Sequence, residues 1–182
     1  MRMIIITTWV LREHYPLENQ LKTADSSAIE DHSASKTELR MDALSRGGKL
    51  FIWSLRYWLV AVRLKQPPAS SLRDAYVAAG CAEGEILIDE VMSLIGVASK
   101  RPVEIRCCCE KCLSEDETLL LSCLRLLQAG KVDKAATALD ALMVPALSRS
   151  VCRIADQYRG LLINAGLSLT SPRQFKVVTW SL

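Results

Sequence analysis

Apolar residues recur at the spacing of an α-helix over most of the chain from residue 39 onward. Between 39 and 66 the pattern is helical, with a nearly continuous apolar stretch at 50–64, and most of the apolar bulk comes from Trp53, Tyr57, Trp58 and Leu64. Two prolines follow and end this segment, because proline has no amide proton to donate inside a helix. The pattern predicts a long helix whose large side chains are buried.

Five further segments carry apolar residues three and four positions apart. One of them begins with Ser114 and has Glu117 three residues later, which is the spacing of a capping box. The turn at Gly130 resembles that of a tetratricopeptide-type hairpin. Such arrays need about three repeats, so a single ordinary pair of helices is expected. The predicted helices cover 71–79, 83–99, 114–130, 132–143 and 145–166.

The first part of the chain has a different composition. Residues 12–38 are rich in serine, alanine, threonine and acidic side chains and show no regular apolar period. Such a segment buries too little surface to offset its ordering entropy, so residues 1–38 are predicted to form a flexible arm. The alternation at 103–107 predicts a short strand, with 175–180 as its partner. The expected fold is mainly α: residues 39–182 form a single helical domain, a compact bundle of five to six helices with one small two-stranded β pairing.

No segment fits a membrane span or a secretory signal. The apolar stretch 50–64 includes Arg56 and Arg63 and is shorter than the roughly 20 residues that a bilayer requires. The apolar run near the N-terminus leads directly into Arg12 without a recognisable cleavage site. Seven cysteines, an odd number, do not suggest a disulfide scaffold. A cytoplasmic protein with reduced thiols is therefore expected.

Positive charge concentrates in two parts of a chain whose net charge is only +3. Lys49, Arg56 and Arg63 recur every seven residues, which predicts a narrow basic stripe on the first long helix. Arg149 and Arg153 form a second, weaker basic face on the last one. These five residues are the candidate surface for nucleic acid or another partner. Aromatic residues between them favour stacking on bases, and a nucleic-acid-associated regulator is one alternative function.

Four cysteines lie within six positions, from Cys107 to Cys112. Cys109 and Cys112 have the spacing of one half of a zinc site. Cys107 is the candidate third thiolate, because the side chains of adjacent residues such as Cys108 and Cys109 diverge in extended backbone. A second pair of ligands at a distance is missing, because Cys123 and Cys152 each stand alone in a helical segment. A cysteine-dependent zinc or redox protein is therefore a further alternative, and incidental thiols are the main expectation.

The residue types that most enzymes need are sparse. His14 and His32 both precede the helical domain, so residues 39–182 contain no histidine for a nucleophilic triad. Gly47 and Gly48 lack the spacing of a phosphate loop. We predict no catalytic residue and no cofactor. The main expectation is a non-enzymatic protein-interaction or regulatory module, most simply a homodimer, because the 50–64 segment is apolar nearly all round.

Overall fold

The computed structural model describes residues 39–170 and is mainly helical. A 3-10 turn at Met41–Ala43 precedes helix α1, which spans Arg46–Arg63. The first helix therefore starts later than the apolar pattern suggests. Ser45 sets this start, because its hydroxyl accepts a hydrogen bond from the Gly48 amide at 3.2 Å.

Five more helices follow within the described residues, in agreement with the sequence-based expectation of five to six. Two of them, α2 and α6, have proline in the first turn, where the missing amide proton costs nothing. The ranges are α2 (Pro68–Ala78), α3 (Gly84–Ala98), α4 (Glu115–Gln128), α5 (Val132–Leu139) and α6 (Pro145–Asn164).

Helices α3, α4 and α6 surround the centre of the core, and α4 and α5 form the predicted hairpin. Fully buried leucine, isoleucine and methionine side chains fill the centre, among them Ile88, Met92, Leu121 and Leu162. Helix α1 packs against α2, α3 and α4. Its first turn meets the chain after α6 so closely that a Cβ at Gly47 would lie 2.6 Å from the Leu167 carbonyl oxygen.

The β content of the described residues is limited to two isolated bridges, which join Arg40 to Cys112 and Ser99 to Met143. The predicted partner strand at 175–180 and the predicted arm at 1–38 lie outside the described residues. Among the helices from residue 39 to 170, none combines the length and the apolar character needed to cross a bilayer.

Candidate functional site

The interior side of α1 carries a fully satisfied arginine. The Arg56 side chain is 1% exposed, and all five of its N–H donors have acceptors. Two hydrogen bonds reach the Glu117 carboxylate at 2.7 and 2.8 Å. The other three reach the backbone carbonyl oxygens of Cys107 (3.2 Å), Glu110 (2.6 Å) and Cys112 (2.9 Å). The prediction that Arg56 belongs to a surface stripe is therefore wrong, because this loop and α4 cover its guanidinium.

Glu117 completes the predicted capping box and does more than cap α4. Its carboxylate accepts from the Ser114 amide at 2.9 Å and from the Arg106 amide at 3.1 Å, in addition to the two bonds from Arg56. Its own amide donates to the Ser114 hydroxyl at 3.0 Å. One buried carboxylate thus connects α1, α4 and the segment between α3 and α4. The capping box is confirmed, whereas its connection to Arg56 could not be read from local spacing.

A second polar chain starts from α1 only two residues earlier. The Ser54 hydroxyl lies 2.8 Å from that of Tyr76, which lies 2.9 Å from that of Tyr158. Ser54 also donates to the Leu50 carbonyl at 2.7 Å. These buried, neutral groups connect α1, α2 and α6. Burial raises the pKa of both tyrosines well above the ordinary value, so the hydroxyls stay protonated.

Arg56 holds the segment from Cys107 to Cys112, which we call the thiol loop, through three of its carbonyl oxygens. The side chains of Cys107, Cys108 and Cys109 are exposed, and Cys112 is half-buried. Within residues 39–170, no group of three cysteine, histidine or acidic side chains is placed to hold a metal. Cys112 lies beside Arg40, with which it forms an isolated β-bridge. The pKa of Arg40 is raised mainly by Asp42 and to a smaller extent by Cys112. The structure therefore gives no support to a zinc site formed by Cys107, Cys109 and Cys112.

Two thiols of the loop interact with each other. A turn closed by the Glu110 amide and the Cys107 carbonyl at 3.0 Å brings Cys109 back over Cys107. The Cys109 amide donates to the Cys107 sulfur at 3.3 Å. Hydrogen bonds from the Cys109 thiol and amide, with the nearby charge of Arg56, lower the pKa of Cys107. The same thiol–thiol bond raises the pKa of Cys109.

The outward side of α1 is apolar. Between residues 50 and 61 the side chains that are not buried are Leu50, Trp53, Tyr57 and Val60, and Leu64 beyond the helix end is 63% exposed. These five residues, which we call the outer stripe, lie at alternating spacings of three and four. The Trp53 and Tyr57 rings stack with centroids 5.0 Å apart. The prediction that Leu64 is buried is therefore wrong, whereas Trp53 and Tyr57 are partly buried and pack against the core less completely than Trp58.

A hollow of about 460 Å³ lies at the N-terminal end of the outer stripe. It is lined by Met41, Asp42, Lys49, Leu50 and Trp53. Two backbone hydrogen bonds hold the 39–41 segment here. The Met41 amide donates to the Lys111 carbonyl at 2.8 Å, and the Leu113 amide donates to the Leu39 carbonyl. The stripe therefore has a shallow, open depression at one end and the exposed Leu64 at the other.

The other four predicted basic residues are exposed, but they do not form one continuous surface patch. Lys49 and Arg63 lie near opposite ends of α1. Arg149 and Arg153 line a groove of about 490 Å³ between α5 and α6, together with Asp133 and other side chains. The acidic groups in that groove weaken its attraction for a polyanion.

Comparison of the chain with protein-family models, with curated proteins and with solved structures finds no match. The arrangement of its own residues is therefore what supports a function. Sequence reasoning missed the outer stripe as a distinct surface because every turn of α1 carries large apolar residues. The signal that was present is the alternating three- and four-residue spacing from Leu50 to Leu64.

Proposed function

We propose that this protein is an interaction module whose copies associate through the outer stripe of α1. The observation that carries the proposal is the row of partly exposed apolar side chains on the outward side of that helix. Its covered side includes Ser54 and Arg56, whereas its outward positions from 50 to 60 are Leu, Trp, Tyr and Val. Apolar side chains that line up on the solvent side of a helix are typical of a protein-binding surface.

The spacing within the stripe favours another helix as the occupant. Alternating steps of three and four residues match the seam along which two helices pack side by side. Tyr57 lies at the midpoint, seven residues from both Leu50 and Leu64. A two-fold axis at Tyr57, perpendicular to the helix, would therefore pair the same surface with itself in an antiparallel arrangement and give a closed dimer.

The shape of the stripe favours the same arrangement. In an antiparallel pair, the exposed Leu64 of each copy would reach the hollow beside Leu50 and Trp53 of the other. Each copy has one such hollow and one exposed Leu64. The two-fold axis would therefore form the same contact twice. A second copy of the chain is the occupant to which this proposal commits.

The size of the surface sets the expected strength. Helix α1 has 18 residues and is about 27 Å long. One such face buries less than the roughly 1,600 Å² of a standard stable interface. We therefore expect a reversible dimer whose population rises with protein concentration in the micromolar range or above.

The charge of α1 gives the dimer a distinctive response to salt. Its charged residues are all basic, namely Arg46, Lys49, Arg56 and Arg63, and three of them are exposed. Two such helices repel each other, so screening by salt should strengthen their association. Nucleic-acid binding would respond in the opposite way, because phosphate contacts weaken as salt rises.

Sedimentation velocity of the full chain over a series of concentrations tests the proposal. We expect a monomer–dimer equilibrium that Tyr57→Lys and Leu64→Lys both abolish. Val97→Lys is the matched control, because Val97 is 60% exposed on α3 and lies outside the stripe. Leu64→Lys guards against misfolding, since Leu64 is also largely exposed.

A wild-type protein that stays monomeric at every concentration and salt condition would refute the proposal. So would a dimer that Val97→Lys disrupts as strongly as the stripe variants. Binding of single- or double-stranded DNA or RNA that declines steeply with salt, with no dimer, would instead favour the nucleic-acid alternative. That alternative would have to use Lys49, Arg63, Arg149 and Arg153, because Arg56 is covered.

A further inference from the structure

The thiol loop presents exposed cysteines on a backbone that the interior of the protein holds in place. Arg56 donates to three carbonyl oxygens of the loop while its other donors bind Glu117. A loop whose carbonyl oxygens share one buried cation keeps a defined conformation. The backbone that carries these thiols is therefore held in place.

We propose that Cys107 and Cys109 form a redox-active pair, in which Cys107 reacts with peroxide and Cys109 closes an intraloop disulfide. The turn places the Cys109 amide 3.3 Å from the Cys107 sulfur. An amide donor at that position stabilises negative charge on the sulfur that must attack. This inference is independent of the proposed self-association.

The electrostatics assign different roles to the two thiols. Hydrogen bonds from Cys109, followed by the charge of Arg56, lower the pKa of Cys107 and increase its thiolate fraction. Cys109 has a raised pKa because its thiol donates to Cys107. The neighbouring Cys108 also has a raised pKa, through partial desolvation of its sulfur and then the charge of Cys107. Cys107 is therefore the attacking sulfur, and Cys108 serves as an internal comparison.

The first step is attack of the Cys107 thiolate on one oxygen of hydrogen peroxide. An S–O bond forms, the O–O bond breaks, and the departing hydroxide takes up a proton to become water. The sulfur loses two electrons and becomes a sulfenic acid, and the peroxide is reduced.

In the second step the Cys109 sulfur, after losing its proton, attacks the Cys107 sulfur. An S–S bond forms, the S–O bond breaks, and the hydroxide that leaves combines with that proton to form a second water. Overall, two thiols and one peroxide give one disulfide and two waters. An external dithiol reverses the change.

The test is brief treatment of the reduced full chain with hydrogen peroxide, followed by intact mass and peptide mapping. We expect the protein to lose two hydrogens and the disulfide to join Cys107 and Cys109. Cys107→Ser should slow oxidation of the loop by about tenfold or more, as expected when the most thiolate-rich sulfur is removed. Cys109→Ser should instead stop the reaction at a sulfenic acid on Cys107, which dimedone labels.

Cys108→Ser is the matched control, since it removes an exposed thiol of the same loop and should leave the rate and the product unchanged. The buried Cys123 and Cys152 should stay unmodified, because burial raises the pKa of Cys123 to about 12 and also raises that of Cys152. Equal oxidation of Cys107, Cys108 and Cys109, or a Cys107→Ser variant that reacts as fast as wild type, would overturn the proposal. A disulfide that involves Cys112 or links two chains would overturn it as well.

Discussion

The two sides of α1 differ in the residues that stand out against their surroundings, which are polar ones within a mainly apolar inward side and apolar ones on the outward side. The side that faces the bundle includes Ser54 and Arg56, both buried and fully hydrogen-bonded. The side that faces outward carries Leu50, Trp53 and Tyr57, all only partly covered. On one helix, two polar residues are therefore buried and hydrogen-bonded among apolar core residues, and an apolar stripe on the other side stays partly exposed.

Under the proposed self-association, stability and association depend on different sides of one helix. Removal of an inward polar group leaves a buried partner without its hydrogen bond, which costs free energy of unfolding. Replacement of an outward apolar group changes mainly the surface. The account therefore predicts large stability effects inside, small ones outside, and the reverse order for self-association.

The largest expected effect comes from Arg56→Met. It leaves the Glu117 carboxylate buried without its cation and three loop carbonyls without donors, and should lower the free energy of unfolding by about 3–5 kcal/mol. Urea denaturation measures this change. Arg63→Met is the control on the same helix, since Arg63 is exposed, and should cost less than about 1 kcal/mol. Equal effects of the two substitutions would contradict the assigned role of Arg56.

A smaller effect is expected from Tyr158→Phe. This substitution removes the last hydroxyl in the hydrogen-bonded series that runs from Ser54 through Tyr76 to Tyr158. Tyr76 keeps its contact with Ser54, so the loss should be about 1–2 kcal/mol. Tyr57→Phe removes a hydroxyl from the outward side and should change stability by less than about 0.5 kcal/mol. Thermal or urea unfolding of the pair tests this, and a larger loss at Tyr57 would count against the comparison.

The ion pair between Arg101 and the buried Asp116, at the start of α4, should also make stability sensitive to acid. Burial opposes ionisation of Asp116, but hydrogen bonds from Arg101 and the Glu104 amide outweigh it and lower the pKa below the ordinary value of 3.8. The stabilisation is therefore complete above pH 3.8 and disappears as the pH falls through the lower folded-state value. The free energy of unfolding, measured at a series of pH values, should therefore fall less steeply at acid pH in Asp116→Asn than in wild type. We call this decline at low pH the acid limb.

Exposed Asp133→Asn is the control for Asp116, because its side chain lies on the surface of α5. It should leave the acid limb unchanged. An identical pH profile for wild type and Asp116→Asn would show that this carboxylate does not contribute to the pH dependence.

The smallest effect on stability is expected from Leu64→Lys, because Leu64 is 63% exposed. Its free energy of unfolding should stay within about 0.5 kcal/mol of wild type when both are measured as dilute monomers. Its effect on the dimer should nevertheless be the loss of association. Analytical ultracentrifugation measures association and urea unfolding measures stability on the same samples. A variant that loses both association and stability would contradict the view that the two depend on different sides of α1.

Local patterns predicted much of the fold. The helical periodicity located the main helices, and the capping box at Ser114 and Glu117 was visible because its two residues are three positions apart. The role of Arg56 was not visible, since its main partner is 61 positions away. Periodicity shows that α1 has large apolar residues on most sides, but only packing against α2, α3 and α4 decides that Trp58 is buried and Trp53 only partly so.

The most direct test of the outer stripe is disulfide crosslinking between copies of the chain. Tyr57→Cys, in a background with the four cysteines of the thiol loop changed to serine, places one thiol at the centre of the proposed contact. Under mild oxidation it should form a covalent dimer rapidly, whereas Val97→Cys in the same background should not. Equal or faster crosslinking at position 97 would contradict association through α1.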